Sequence, residues 1–172
     1  MNMPRFDNRD VAFDSPEGWE DRTVIAFEAP KGPRVPYATN VTLMSVESKP
    51  ISPGTFATQQ VANLSAGLPK FDLLSQKNAS FGGLPAIELL YNWAPPDGAI
   101  TQRMTIFERG GKIWSFTCSA LRSAFQQNLP MFDRIAASIQ FAGAAPPGSP
   151  AGTPSSQSGG SLPPLPEKPR GW

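Results

Sequence analysis

Apolar side chains recur at alternate positions in six short runs: Thr23 to Phe27, Asn40 to Val46, Phe71 to Ala79, Pro85 to Trp93, Ile100 to Glu108 and Lys112 to Cys118. Turn residues such as Pro and Gly separate most of them, which predicts strands. A shorter apolar piece, Val11-Ala12-Phe13, comes before them and is followed by the turn signal Ser15-Pro16-Glu17-Gly18.

The period changes in two places. Ala57, Val61, Leu64 and Leu68 recur at i, i+4, i+7 and i+11, one stripe of an amphipathic helix with Thr55 as its expected N-cap and Gly67 and Pro69 at its end. Phe125, Leu129, Phe132, Ala136 and Ile139 also keep helical spacing, with Pro130 in the middle. Proline removes a backbone donor and clashes one turn back, so the expectation is a short first turn and then a helix from near Asn128.

The loops carry Gly82-Gly83, Pro95-Pro96-Asp97-Gly98 and Gly110-Gly111. Links this short favour antiparallel neighbours and predict a meander. The expected class is α+β: a mixed, mostly antiparallel sheet of about six strands, with one main helix after the second strand and another at the end.

The composition breaks near Ala142. Residues 1–142 make one folded domain, whereas 143–172 are dominated by Pro, Gly and Ser and cannot offset their own ordering entropy, which predicts a disordered tail. Within it, Pro163-Pro164-Leu165-Pro166-Glu167-Lys168 has the PxxPxK form of a polyproline ligand, a pattern that any Pro-rich linker produces by chance.

Several strands are apolar on both sides. In Gly83 to Trp93 one alternating set is Ile87, Leu89, Tyr91 and Trp93, bulky enough for a helix-covered core; the other, Ala86, Glu88, Leu90 and Asn92, reads as a mixed surface. Ile25 and Phe27 oppose Val24 and Ala26, and Val41 and Leu43 oppose Met44 and Val46. Two helices shield only part of such a sheet, so a dimer partner, the chain's own loops or a hydrophobic client must cover the rest.

Charge and chemistry narrow the function. Of 172 residues 40% are apolar and the net charge is +1, which gives no reason to expect nucleic acid or an anionic membrane surface as the partner; direct membrane insertion is not expected either, for want of a spanning apolar window. The absence of histidine removes the usual general base, metal ligand and Ser-His or Cys-His nucleophile. Cys118, the single cysteine, lies in an apolar run and reads as a buried, inert thiol in a reducing compartment. The early acidic cluster lacks calcium-loop spacing, and Gly110-Gly111-Lys112 lacks the upstream glycine and following hydroxyl of a phosphate loop. A carboxylate pair such as Glu88 with Glu108, on neighbouring strands, is a couple to consider for acid-base work. The reading is a non-enzyme without metal or cofactor. The charged N-terminus has no signal-peptide core and no window approaches the roughly 20 apolar residues of a membrane span, so the expected location is cytoplasmic.

The order of motifs resembles the DcrB-related family: Ser15-Pro16-x-Gly18-Trp19-x-Asp21-Arg22-Thr23-Val24, Gly67-Leu68-Pro69-Lys70-Phe71-x-Leu73-Leu74, Gly83-Leu84-Pro85-Ala86 with Trp93, Gln102 before Phe107, Phe116-Thr117-Cys118, and Phe132-Asp133-Arg134-Ile135-x-x-Ser138-Ile139. They run from about Phe6 to Phe141, nearly the whole body. The resemblance implies a PsbP-like fold, an antiparallel sheet flanked by helices. Some members are envelope lipoproteins; others are cytoplasmic Eag-type chaperones of type VI secretion, which hold the N-terminal transmembrane helices of toxic effectors before export. The lack of a leader and lipidation cysteine favours the chaperone branch.

On that branch the resemblance implies a homodimer whose apolar sheet faces bind the hydrophobic N-terminal segment of a PAAR- or Rhs-type effector. Ile25, Val41, Leu43 and Met104 are the expected client-binding face, with Gln102, on the Met104 side of its strand, as an adaptable hydrogen-bonding group. The competing reading is a homodimeric structural or adaptor protein whose Pro-rich tail binds another partner.

Overall fold

A computed structural model of the chain describes residues 5–7, 12–14, 22–33, 35–47, 51–96 and 98–141. The chain divides into two units, 1–139 and 140–172, and every element below belongs to the first. The expected tail, 143–172, lies outside the described residues, as do the turn Ser15 to Gly18 and Asp97.

The short strands β1 (Arg5–Asp7) and β2 (Ala12–Asp14) pair antiparallel. The main sheet has six strands, β3 (Val24–Glu28), β4 (Asn40–Glu47), β5 (Asp72–Phe81), β6 (Leu84–Trp93), β7 (Ile100–Arg109) and β8 (Lys112–Leu121), in the order β3-β4-β8-β7-β6-β5. Every neighbouring pair is antiparallel. The expected meander is β5 to β8, and its β5–β6 and β7–β8 turns follow from backbone geometry. Gly82-Gly83 and Gly110-Gly111 all have positive φ, the left-handed conformation of a type I′ hairpin turn, which glycine adopts without strain.

Helix α1 (Pro53–Gly67) follows β4 and packs chiefly on β6 and β7. Its cap is Ser52, not Thr55: the Ser52 hydroxyl accepts the Thr55 N–H at 3.1 Å, and Pro53 occupies a first-turn position where the missing donor costs nothing. The predicted stripe faces the sheet, with Ala57 fully buried and Phe56, Val61, Leu64 and Leu68 around it. Beneath them lie Leu89, Tyr91, Met104, Ile106 and Ile113, with Ile87 and Trp93 at the margin. The set Ile87, Leu89, Tyr91, Trp93 is thus the helix-covered core it promised to be.

The other side of β6 is less open than its composition suggests. Ala86 and Asn92 are buried, and Asn92 Oδ1 accepts the Thr101 hydroxyl at 2.7 Å, so a polar side chain is accommodated by a partner on β7. On this same side Phe81 stacks on Phe107 with centroids 4.4 Å apart, and Phe116 joins them at 5.5 Å from Phe81.

Helix α2 (Phe125–Ser138) lies against β8 on the face opposite α1. It is one continuous helix, which corrects the expected break near Asn128. Pro130 is exposed just beyond the first turn, so it forfeits one backbone bond, whose freed carbonyl on exposed Gln126 can be met by water. Phe125 and Phe132, both buried and 5.8 Å apart, hold the helix down on either side of the proline.

Candidate functional site

The register assigns every side chain of the sheet to a face. On the α1 side stand Val24 and Ala26 of β3, Thr42, Met44 and Val46 of β4, Ser115, Thr117 and Ser119 of β8, and Gln102 and Met104 of β7. On the α2 side stand Ile25 and Phe27, Val41 and Leu43, Phe116 and Cys118, and Arg103.

The expected client face is therefore two faces. Ile25, Val41 and Leu43 share the α2 side, whereas Gln102 and Met104 share the α1 side. Alternation within one strand is readable in sequence, but the phase of β7 relative to β4 is set through β8, by the pairs Leu43–Phe116 and Thr105–Phe116. Met104 belongs to the core beneath α1. Gln102 is half-buried and donates from Nε2 to the Ser119 hydroxyl, one member of a row of buried hydroxyls with Ser115 and Thr117.

Among the described residues the most exposed run of apolar side chains is on β3, with a smaller pair, Leu73 and Leu74, on β5. Val24 is 56% exposed, Ile25 45% and Phe27 71%, so large apolar side chains face outward on both sides of one strand. β3 is also a sheet edge. A soluble surface tolerates single exposed apolar residues, but three in consecutive turns of an edge strand form a patch, and patches mark interaction sites.

Next to this patch lies a cleft of about 200 Å³ between α2 and the β3–β4 edge, lined by Phe27, Ala29, Val41, Met131, Phe132 and Ile135 among others. Its α2 wall was not legible as a site: Phe132 read only as part of a helix stripe, and Met131 and Ile135 lie outside that stripe. A signal for β3 did exist: its five residues, VIAFE, lack the polar alternation of a strand with one face in water.

An ion pair helps seat α2. Arg103 Nη2 donates to Asp133 Oδ1 at 2.6 Å, with the Arg103 side chain 17% exposed and that of Asp133 63%. Burial by itself would lower the guanidinium pKa, but the hydrogen bond to Asp133, the neighbouring Cys118 and the Asp133 charge more than reverse this, and the group stays protonated. Cys118, opposite Arg103 in the register, is fully buried, and burial pushes its thiol up to about 11. That is the inert thiol expected from its apolar run.

Glu88 and Glu108 do not form a carboxylate pair. Their positions on β6 and β7 place them on opposite faces, and Glu88 instead meets Lys77 at 3.1 Å. Among the described residues no helix is long and apolar enough to cross a membrane.

A profile described as DcrB matches residues 11–138. Among curated proteins no relative is significantly similar in sequence. A crystal structure of PA94, a Pseudomonas aeruginosa protein of unknown function, superposes with a TM-score of 0.65 at 16% identity, covering 84% of this chain and 100% of that one. Two weaker likenesses are LpqN of Mycobacterium tuberculosis, involved in cell envelope biogenesis, with a TM-score of 0.41 at 15% identity over 72% of this chain and 85% of that one, and a PsbP of Synechocystis, with 0.44 at 16% over 79% and 90%. The PA94 likeness concerns the fold alone, and the two weaker ones bear no further argument.

Proposed function

The chain belongs to the DcrB family, and from that premise we propose that it is a non-enzymatic chaperone or adaptor of the Eag type, acting as a homodimer in the cytoplasm. Its client is the hydrophobic N-terminal transmembrane segment of a type VI secretion effector of the PAAR or Rhs kind, shielded before export. The observation that carries this reading is the open apolar corner: β3 with Val24, Ile25 and Phe27 exposed, continuous with the cleft under Met131 and Ile135.

The physical task fits the corner. A transmembrane helix presents about 20 apolar residues that water would drive to aggregate, and its small or polar positions need hydrogen-bonding partners once buried. Ile25, Phe27, Val41 and Leu43 supply apolar surface on the α2 side. On the other side Val24 and Met44 adjoin the hydroxyl row of β8, which is buried and holds the Gln102 amide through Ser119.

Co-expression with an effector carrying its N-terminal apolar segment tests the reading. The pair is expected to co-purify, and Phe27→Asp, which places a charge in the patch without touching the core, is expected to lose at least ten-fold in recovered complex. No complex with the wild-type chain, together with effector levels unchanged in its absence, sinks the proposal. Because other members of the family are envelope proteins, fractionation of cells provides a second test: recovery in the envelope overturns the cytoplasmic assignment.

A further inference from the structure

The two edges of the main sheet are built differently. β5, at one end, exposes Leu73 and Leu74, but it breaks its register there with a bulge between Leu73 and Ser75 and carries polar residues at Asp72, Gln76, Lys77, Asn78 and Ser80. These are devices that discourage a further strand from adding. β3, at the other end, has no bulge in its register with β4, no proline, and one charge, Glu28, at its terminus.

The backbone of β3 has a definite polarity. Ser45 N–H donates to the Thr23 carbonyl at 3.3 Å and Ala29 N–H to the Thr39 carbonyl at 2.8 Å, so the odd-numbered residues turn their backbone groups toward β4. The N–H and C=O groups of Val24, Ala26 and Glu28 consequently point away from the sheet. A hydrophobic helix covers side chains but uses its own backbone groups internally; an extended segment pairs with this edge in place of water.

We propose that the extended segment is β3 of a second copy, paired antiparallel about a two-fold axis at Ala26. This names the seam of the dimer in the reading above and rests on that dimer. The register places Ala26 opposite its own copy, Ile25 opposite the partner's Phe27, and Val24 opposite the partner's Glu28. Each large apolar side chain on the α2 side then meets another, and the small Ala26 sits where two identical residues must fit on the axis. The two sheets become one across the seam, and the patches of the two copies join on each face.

Single cysteines read the register directly, because paired Cα atoms in such a ladder lie about 5.5 Å apart, within disulfide reach, and residues displaced along it do not. Ala26→Cys is expected to cross-link to a dimer under oxidation. Val24→Cys and Glu28→Cys are each expected to stay uncross-linked alone and to cross-link when co-expressed, and the wild-type chain with its buried Cys118 is the blank. Ala26→Pro removes an outward N–H and leaves the β3–β4 ladder intact; its mass by light scattering is expected to fall from two chains to one with an unchanged circular dichroism spectrum. A monomeric wild-type chain, or a dimer in which Ala26→Cys stays uncross-linked and the Val24→Cys and Glu28→Cys mixture does too, overturns the seam. These readouts need no effector, so failure of the seam in a chain that still retains effector leaves the chaperone reading standing, and loss of effector binding in a chain with the expected cross-links leaves the seam standing.

Discussion

Toward one end, at β6 and β7 beside the edge strand β5, the sheet is closed over by α1; at the other, β3, it is open. At β6 and β7 the predicted stripe of α1 lies over Leu89, Tyr91 and Ile106, and the three are buried almost completely. At β3, residues of the same apolar character, Val24, Ile25 and Phe27, are 56%, 45% and 71% exposed. The difference lies in position, not in composition: a central strand has a neighbour on each edge and a helix above, whereas β3 ends the sheet. The side chains that stabilise the chain and those proposed to bind are therefore separable in this fold, and substitutions at the two ends should have opposite signatures.

The largest expected effect is at the closed end. Leu89→Ala, at a fully buried position under α1, should cost about 2–5 kcal/mol in urea unfolding. Phe27→Ser at the open end should change stability by less than about 0.5 kcal/mol while losing complex recovery. Equal losses of stability in the two variants would abolish the contrast between the ends.

Within the closed end the polar pair comes next. Thr101→Val leaves the buried Asn92 carboxamide oxygen without its 2.7 Å donor and should cost about 1–3 kcal/mol, with Asn92→Ala/Thr101→Val recovering part of it in a double-mutant cycle. Smaller is the cap: Ser52→Ala should cost about 0.5–2 kcal/mol, and Thr55→Ala less, which checks by thermal unfolding which of the two hydroxyls caps α1.

The smallest effect is with pH. The Cys118 thiol rises from its ordinary 9.0 to about 11 in the fold, so the folded state holds a proton that the unfolded chain releases above pH 9. The unfolded chain then binds fewer protons, and stability falls as pH rises from about 9 through about 11. A Cys118→Ala chain should show a shallower decline over that window in denaturant titrations. The same burial predicts that maleimide at pH 8 labels Cys118 only after unfolding.

Much of the fold was legible because local patterns carry it. Period-two runs located all six main strands to within a few residues, paired glycines marked the β5–β6 and β7–β8 hairpins, and the stripe of Ala57, Val61, Leu64 and Leu68 named the buried face of α1. The errors have local causes too. Thr55 and Ser52 are both hydroxyls ahead of the helix, and only the bond to the Thr55 N–H separates them. The break expected at Pro130 did not occur because tertiary packing of Phe125 and Phe132 outweighs one lost hydrogen bond. The candidate site was half legible: Ile25, Val41 and Leu43 do share a face, but Gln102 and Met104 lie on the other.

By itself the amino-acid order determined which residues alternate, which stripe is apolar, where the chain turns, and that more apolar surface exists than two helices cover. These are properties of a segment and its neighbours in sequence. Which strand ends the sheet, which face each helix takes, and that β4 sits between β3 and β8 were decided only by the tertiary structure. Strand order rests on pairings between residues far apart in the chain, such as Val41 with Cys118 and Val46 with Ile113, and those depend on registers that no single segment specifies.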